Sequence, residues 1–153
     1  MTKRFHFDSP AEVYRADAAV VWCFDDRFTA AVHKFLKRSR IARADSIRVA
    51  GGPKSLASGD EPGKSFLLEQ LRLSRKLHAT DRVILFGHSD CLACGGLARF
   101  KGDARAEAEY HRAELARAAG VVRSAIPEVA VECLFVNFEG VWEAEIAASG
   151  GAD

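Results

Sequence analysis

The sequence has no apolar run near the ~18 residues that a membrane-spanning helix needs, so no such helix is expected. No apolar stretch follows the basic start Met1-Thr-Lys-Arg4, which excludes a signal peptide. There is no low-complexity tract and no internal repeat. An excess of charge is missing too: 22 Lys and Arg stand against 21 Asp and Glu, a net +1. A dedicated nucleic-acid binder would carry a basic surplus, so neither nucleic acid nor a membrane is an expected partner. These absences together point to a soluble cytoplasmic protein. Cysteine is scarce, with 4 in 153 residues. In a reducing compartment Cys23, Cys91, Cys94 and Cys133 read as free thiols: metal ligands, reactive groups or core filler.

What is present suits a single domain over residues 1–153. The chain is 48% apolar and 28% charged, an ordinary globular balance. Residues 18–24 are an unbroken apolar run, the mark of a strand buried on both faces. A helix is expected over 28–37, a second strand over 46–50 and a turn at Gly51-Gly-Pro53. A helix over 61–78 places Pro62 in its first turn, where a missing N–H costs little. A third buried strand spans 82–86 and is closed by Gly87. A short helix over 92–100 and a long one over 104–124 follow, the latter with His111, Leu115, Ala118 and Val122 at helical spacing. A fourth strand covers 129–138, with Cys133 in the core, and a short tail element covers 140–148. This alternation predicts an α/β fold: three layers, α/β/α, around a central mainly parallel sheet of about four strands.

In such sheets the working site lies beyond the carboxyl ends of the strands. Two strand ends carry reactive residues. Cys23-Phe-Asp25-Asp-Arg27 follows the first strand, and His88-Ser-Asp-Cys91 follows the third. Two thiolates and an imidazole suit zinc, which takes sulfur and nitrogen tetrahedrally. Three protein donors, Cys23, His88 and Cys91, leave a fourth position open, the catalytic arrangement. Asp25 either takes that position or pairs with Arg27, a rigid bidentate partner for a carboxylate. Ser89 or Asp90 is placed to cap a helix begun by Cys91. Cys94 is the rival ligand, because Cys91-Leu-Ala-Cys94 is a CxxC. The spacing to His88 favours Cys91, with Cys94 on a helix facing about three-quarters of a turn away. The same CxxC after a strand also suits a thiol redox pair, a reading that leaves Cys23, Asp25, Arg27 and His88 unexplained.

Cys23-x-Asp25-x-Arg27 together with His88-x-x-Cys91 resembles the β-class carbonic anhydrases. Arg48-Val-Ala50-Gly51, Ser65–Glu69, Val83–Ser89 and Phe138-Glu-Gly140 resemble further family segments, so the likeness runs over roughly residues 18–145. It implies zinc on Cys23, His88 and Cys91, with the Asp25–Arg27 dyad gating and orienting the water at the metal. The implied activity is the reversible hydration of carbon dioxide to bicarbonate, in a homodimer or higher homo-oligomer. The chain departs from the family pattern where Leu92-Ala-Cys94 precede Gly95, and where Asp26 and Val49 replace a serine and an asparagine. These departures keep two alternatives open. One is a related zinc hydrolase for carbonyl sulfide or carbon disulfide. The other is a non-catalytic zinc-binding protein of the same fold.

Overall fold

The computed structural model describes residues 1–144. The first apolar run becomes β1, Ala18–Cys23, and every residue in it is buried. It pairs on one side with β2 (Ala44–Val49) and on the other with β3 (Arg82–His88). β4 (Ala130–Val136) adds beyond β3, and β5 (Val141–Glu143) closes the far edge. The strand order is β2-β1-β3-β4-β5, with four strands parallel and β5 antiparallel to β4.

Alternation along the strands sends successive side chains to opposite faces. Ala19, Val21, Val83, Leu85 and Cys133 share one core with Leu67, Leu71, Leu115, Ala118 and Val122. Those helical residues come from α3 (Glu61–His78) and α4 (Ala104–Ala125). On the other face Val20, Trp22, Ile84, Phe86 and Leu134 pack against Val32 and Leu36 of α1 (Thr29–Arg38). Each fully buried aliphatic side chain contributes roughly 1.5–3 kcal/mol, so both layers hold the sheet. A one-turn helix, α2 (Lys54–Ala57), carries fully buried Leu56 onto the first core. The sequence reading has no counterpart for it.

Three expectations change. β3 runs through Gly87 to His88, because β4 offers partners to both: Gly87 pairs with Phe135 and His88 with Val136. The stretch 92–100 is not one helix but two 3₁₀ turns, Leu92–Cys94 and Leu97–Phe100. Gly95 and Gly96 separate them, with φ at 98° and 63°, a region glycine enters without a Cβ penalty. The tail begins as a fifth strand, because the Asn137 side chain accepts from Glu139 N at 2.8 Å and Gly140 N at 3.0 Å and turns the chain back. Positions 145–148 of that expected element lie outside the described residues.

Candidate metal centre

Cys23 ends β1 and His88 ends β3, and these strands are neighbours. The order of strands reverses between them, since β2 lies outside β1 and β4 lies outside β3. Their carboxyl ends therefore border the crevice where ligands bind in open α/β sheets. Asp90, at φ 52°, turns the chain so that Cys91 returns toward His88. The donor atoms of Cys23, His88 and Cys91 lie within 4.8 Å of one another, and all three residues are buried. Zinc–ligand bonds of about 2.0–2.3 Å place tetrahedral donors roughly 3.5 Å apart, so the trio is a short adjustment from that geometry.

The imidazole is aimed by its second nitrogen. His88 Nδ1 lies 2.8 Å from the Ser89 carbonyl, to which it donates. Nε2 is buried without a hydrogen-bond partner. A bond from one ring nitrogen to a carbonyl is the usual way a metal-binding histidine is oriented. Gly51 N donates to Cys23 Sγ at 3.3 Å. The next residue, Gly52, sits at φ 56° so close to the strand ends that a Cβ would lie 3.0 Å from the Phe86 carbonyl oxygen. The hydrogen bond with Cys91, and then burial, push the Cys23 thiol up to about 11. A coordinated cation reverses such a balance, because a bound thiol loses its proton outright. An orphaned imidazole nitrogen between two buried thiols is a donor set that fits zinc.

Asp25 pairs with Arg27, the second of the two arrangements expected for it. Arg27 Nε donates to its carboxylate at 3.0 and 3.1 Å and Nη2 at 2.6 Å. The hydrogen bonds from Arg27 lower the Asp25 carboxyl to about 2. Arg27 also donates from Nη1 to Asp90 Oδ2 and from Nη2 to the Asp90 carbonyl, both at 3.0 Å. Asp90 is therefore a bracket for Arg27 and not the cap of a helix begun by Cys91. Its other oxygen, Oδ1, accepts from Leu97 N at 2.9 Å. Arg48 ties down the same loop, donating to the Phe24 carbonyl and to Thr29 Oγ1, both at 3.0 Å.

Glu107 is the residue that the sequence reading passes over. It is fully buried on α4 and accepts from Ser89 Oγ at 2.9 Å and from Asp90 N at 2.8 Å. It thus holds the turn between His88 and Cys91. A signal was present: Glu107 lies four residues before His111 and extends the buried stripe of α4 by one turn. Cys94 is also placed differently. The 3₁₀ turn sets it beside Cys91, in one buried cluster with Cys23. Cys133 is buried in the core, as expected.

His111 is buried beside Gly87, and its Nε2 has no partner. Burial first, then the charges of His88 and Arg99, hold its pKa down to about 4. An unfolded histidine titrates near ~6.5, so between these values the unfolded chain binds the extra proton. Stability therefore falls as pH drops from ~7 to ~4, by on the order of 3 kcal/mol from this residue. Urea unfolding of the wild type and His111→Phe across that range is expected to show a shallower pH dependence in the variant. Parallel curves would refute the assignment.

The family model described as "Putative carbonic anhydrase" matches residues 15–147 of the chain. No curated protein matches the sequence. Among solved structures, β-carbonic anhydrase isoform I from Trichomonas vaginalis superposes with a TM-score of 0.59 at 13% identity, covering 94% of this chain and 90% of its own. The carbonic anhydrase from Streptococcus mutans gives 0.58 at 17% identity, over 92% and 89% of the two chains. A tetrameric β-carbonic anhydrase from Sordaria macrospora gives 0.54 at 12% identity, over 85% and 81%. At such identities the likeness is one of fold.

Proposed function

The chain belongs to the carbonic anhydrase family whose model it matches from residue 15 to residue 147, and from that premise we propose that it is a zinc-dependent carbonate dehydratase. The reaction is the reversible hydration of carbon dioxide to bicarbonate. The observation that carries this reading is the buried trio Cys23, His88 and Cys91, with an unpartnered His88 Nε2 among its donors. These three residues would hold the ion, and three protein donors are the number found at catalytic zinc sites. Zinc bound there would supply a Lewis acid that brings the ionisation of water toward neutral pH.

The remaining work falls to the chain's own groups. Asp25, lowered to about 2 by Arg27, stays anionic and acts only as a hydrogen-bond acceptor at neutral pH. It would orient the attacking water by accepting a hydrogen bond from its O–H. Arg27 is held between Asp25 and Asp90, so the carboxylate keeps one position. The Phe28 ring lies 4.9 Å from the His88 ring and 5.1 Å from that of Phe138, an apolar wall suited to an uncharged linear substrate. Phe24, Leu92 and Phe138 are exposed beside these residues. They form the surface that a second copy covers in the homo-oligomer included in this reading. No helix among the described residues is long and apolar enough to cross a membrane. The reading takes the compartment to be the reducing cytoplasm, where thiols persist, and the whole chain to be one domain.

Metal analysis of the purified protein with stopped-flow carbon dioxide hydration tests this. About one zinc per chain and measurable hydration are expected. Arg27→Lys should keep the zinc and lose roughly 10–100-fold in kcat/KM, since lysine cannot form the planar fork. Full zinc with turnover only of carbonyl sulfide or carbon disulfide would move the reading to a related hydrolase. Full zinc with no turnover at all would make the protein a non-catalytic zinc binder. Protein lacking zinc would overturn the reading.

A further inference from the structure

The proposed zinc site leaves one of its neighbouring thiols unused. Cys94 is buried with Cys23 and Cys91 in a cluster separate from the two main cores, with Ala93 and Tyr110 packed against it. Cys91 immediately precedes the 3₁₀ turn Leu92–Cys94, and Cys94 N donates to the Cys91 carbonyl at 2.8 Å. That bond closes the turn and leaves both cysteines in the same buried cluster. A turn closed in this way keeps its terminal Cα atoms within about 7 Å, and a disulfide needs roughly 4.4–6.8 Å. The turn is braced from both sides. Lys54 Nζ donates to the Ala93 carbonyl at 2.6 Å and Arg99 Nη1 to the Cys94 carbonyl at 3.0 Å.

A small cavity of about 10 Å³, room for a water-sized molecule, is lined by Cys94 together with Gly51, Lys54 and His111. Neither Cys23 nor Cys91 lines it.

We propose that Cys91 and Cys94 form an oxidation site, in which a peroxide joins them as a disulfide and so withdraws one zinc donor. The proposal rests on the zinc reading above. Cys94 sulfur attacks one peroxide oxygen, the O–O bond breaks, and the departing hydroxide takes a proton to become water. The resulting Cys94 sulfenic acid is attacked by Cys91 sulfur. The S–O bond breaks, hydroxide leaves and is protonated to a second water, and the S–S bond forms. Two electrons pass from the two sulfurs to the peroxide, and zinc, left with Cys23 and His88, is released. A thiol reductant reverses the step and restores the donor.

The test treats zinc-loaded protein with hydrogen peroxide, following zinc with a chromogenic chelator and the thiols by mass spectrometry after alkylation and trypsin digestion. Residues 83–99 form one tryptic peptide that carries Cys91 and Cys94 and no other cysteine. Expected are a loss of about 2 Da on that peptide, the signature of an S–S bond formed from two thiols, and zinc release in proportion. Cys94→Ala should keep its zinc and release it at least about tenfold more slowly under peroxide, having lost the thiol that attacks the peroxide. Zinc release from Cys94→Ala at the wild-type rate would overturn the proposal. So would a zinc-free Cys94→Ala, which would make Cys94 a ligand, or a disulfide joining Cys23 to Cys91. Should the wild type itself purify without zinc, the functional reading fails. The mass of the 83–99 peptide then still decides the oxidation: a disulfide supports it and two alkylated thiols overturn it.

Discussion

His88→Ala should purify with almost no zinc and lose at least about a thousandfold of the proposed carbon dioxide hydration. The reason lies in how few donors meet at the crevice. Among the described residues, Cys23, His88 and Cys91 are the group of donors close enough to share an ion. Removing the imidazole leaves two thiols whose ionisation burial opposes, with Cys23 already pushed up to about 11 by Cys91 and by its surroundings. Two such thiols without a third donor cannot outcompete protons for the metal at neutral pH. The fold itself should survive. His88 ends its strand, and its ring contributes one hydrogen bond, from Nδ1 to the Ser89 carbonyl. Metal analysis and stopped-flow assay of the variant, alongside its circular dichroism, check the prediction. Retained zinc in a folded His88→Ala would remove the imidazole from the ligand set.

Glu107→Ala should destabilise the protein by about 2–4 kcal/mol, because two donors each lose their acceptor at roughly 1–3 kcal/mol. Ser89 Oγ and Asp90 N both donate to this fully buried carboxylate. Alanine leaves both donors without an acceptor, and the vacated space sits under the turn that joins His88 to Cys91. For a chain of this size each kcal/mol shifts the melting temperature by roughly 2–4 °C, so a fall of about 10 °C is expected. Glu107→Gln should lose less, because its amide carbonyl can still accept from Asp90 N. The effect also reaches function. Asp90 receives two hydrogen bonds from Arg27, which in turn holds Asp25. Loosening the turn therefore weakens the dyad that the proposed chemistry uses, even where zinc remains. Thermal unfolding of the three proteins separates the outcomes. An unchanged melting temperature for Glu107→Ala would show that the turn is held by other contacts.

The carboxylate was hard to see from the sequence for a physical reason. Helical spacing identifies a stripe, and Leu115 and Val122 mark it as apolar, but a glutamate on that stripe reads as a solvent-facing residue unless its partners are known. Those partners, Ser89 and Asp90, lie more than fifteen residues away and meet Glu107 only because α4 packs across the end of β3. Asp90 hid its role similarly. Its position before Cys91 suggests a cap, and the cap fails because Cys91 itself stands outside the first tight turn and the Asp90 carboxylate is taken by Arg27 and by Leu97 N. The tight turn also moves Cys94. An α-helix would carry it around from Cys91, whereas the turn leaves both in one buried cluster.

By itself the sequence determined what local chemistry can determine. Apolar runs and helical spacing specified strands, helices and three layers, because burial of alternating or striped side chains dominates the free energy of each element. Residue type specified a zinc-compatible donor set, because thiols and imidazoles are the groups that a borderline-soft cation accepts. Tertiary structure decided the rest: that β1 and β3 are neighbours, that β5 turns back along β4, that Glu107 clamps the metal-side turn and that Cys94 stands beside Cys91. These are contacts between segments distant in sequence, or turns set by what packs around them, so no window along the chain contains the energy that selects them.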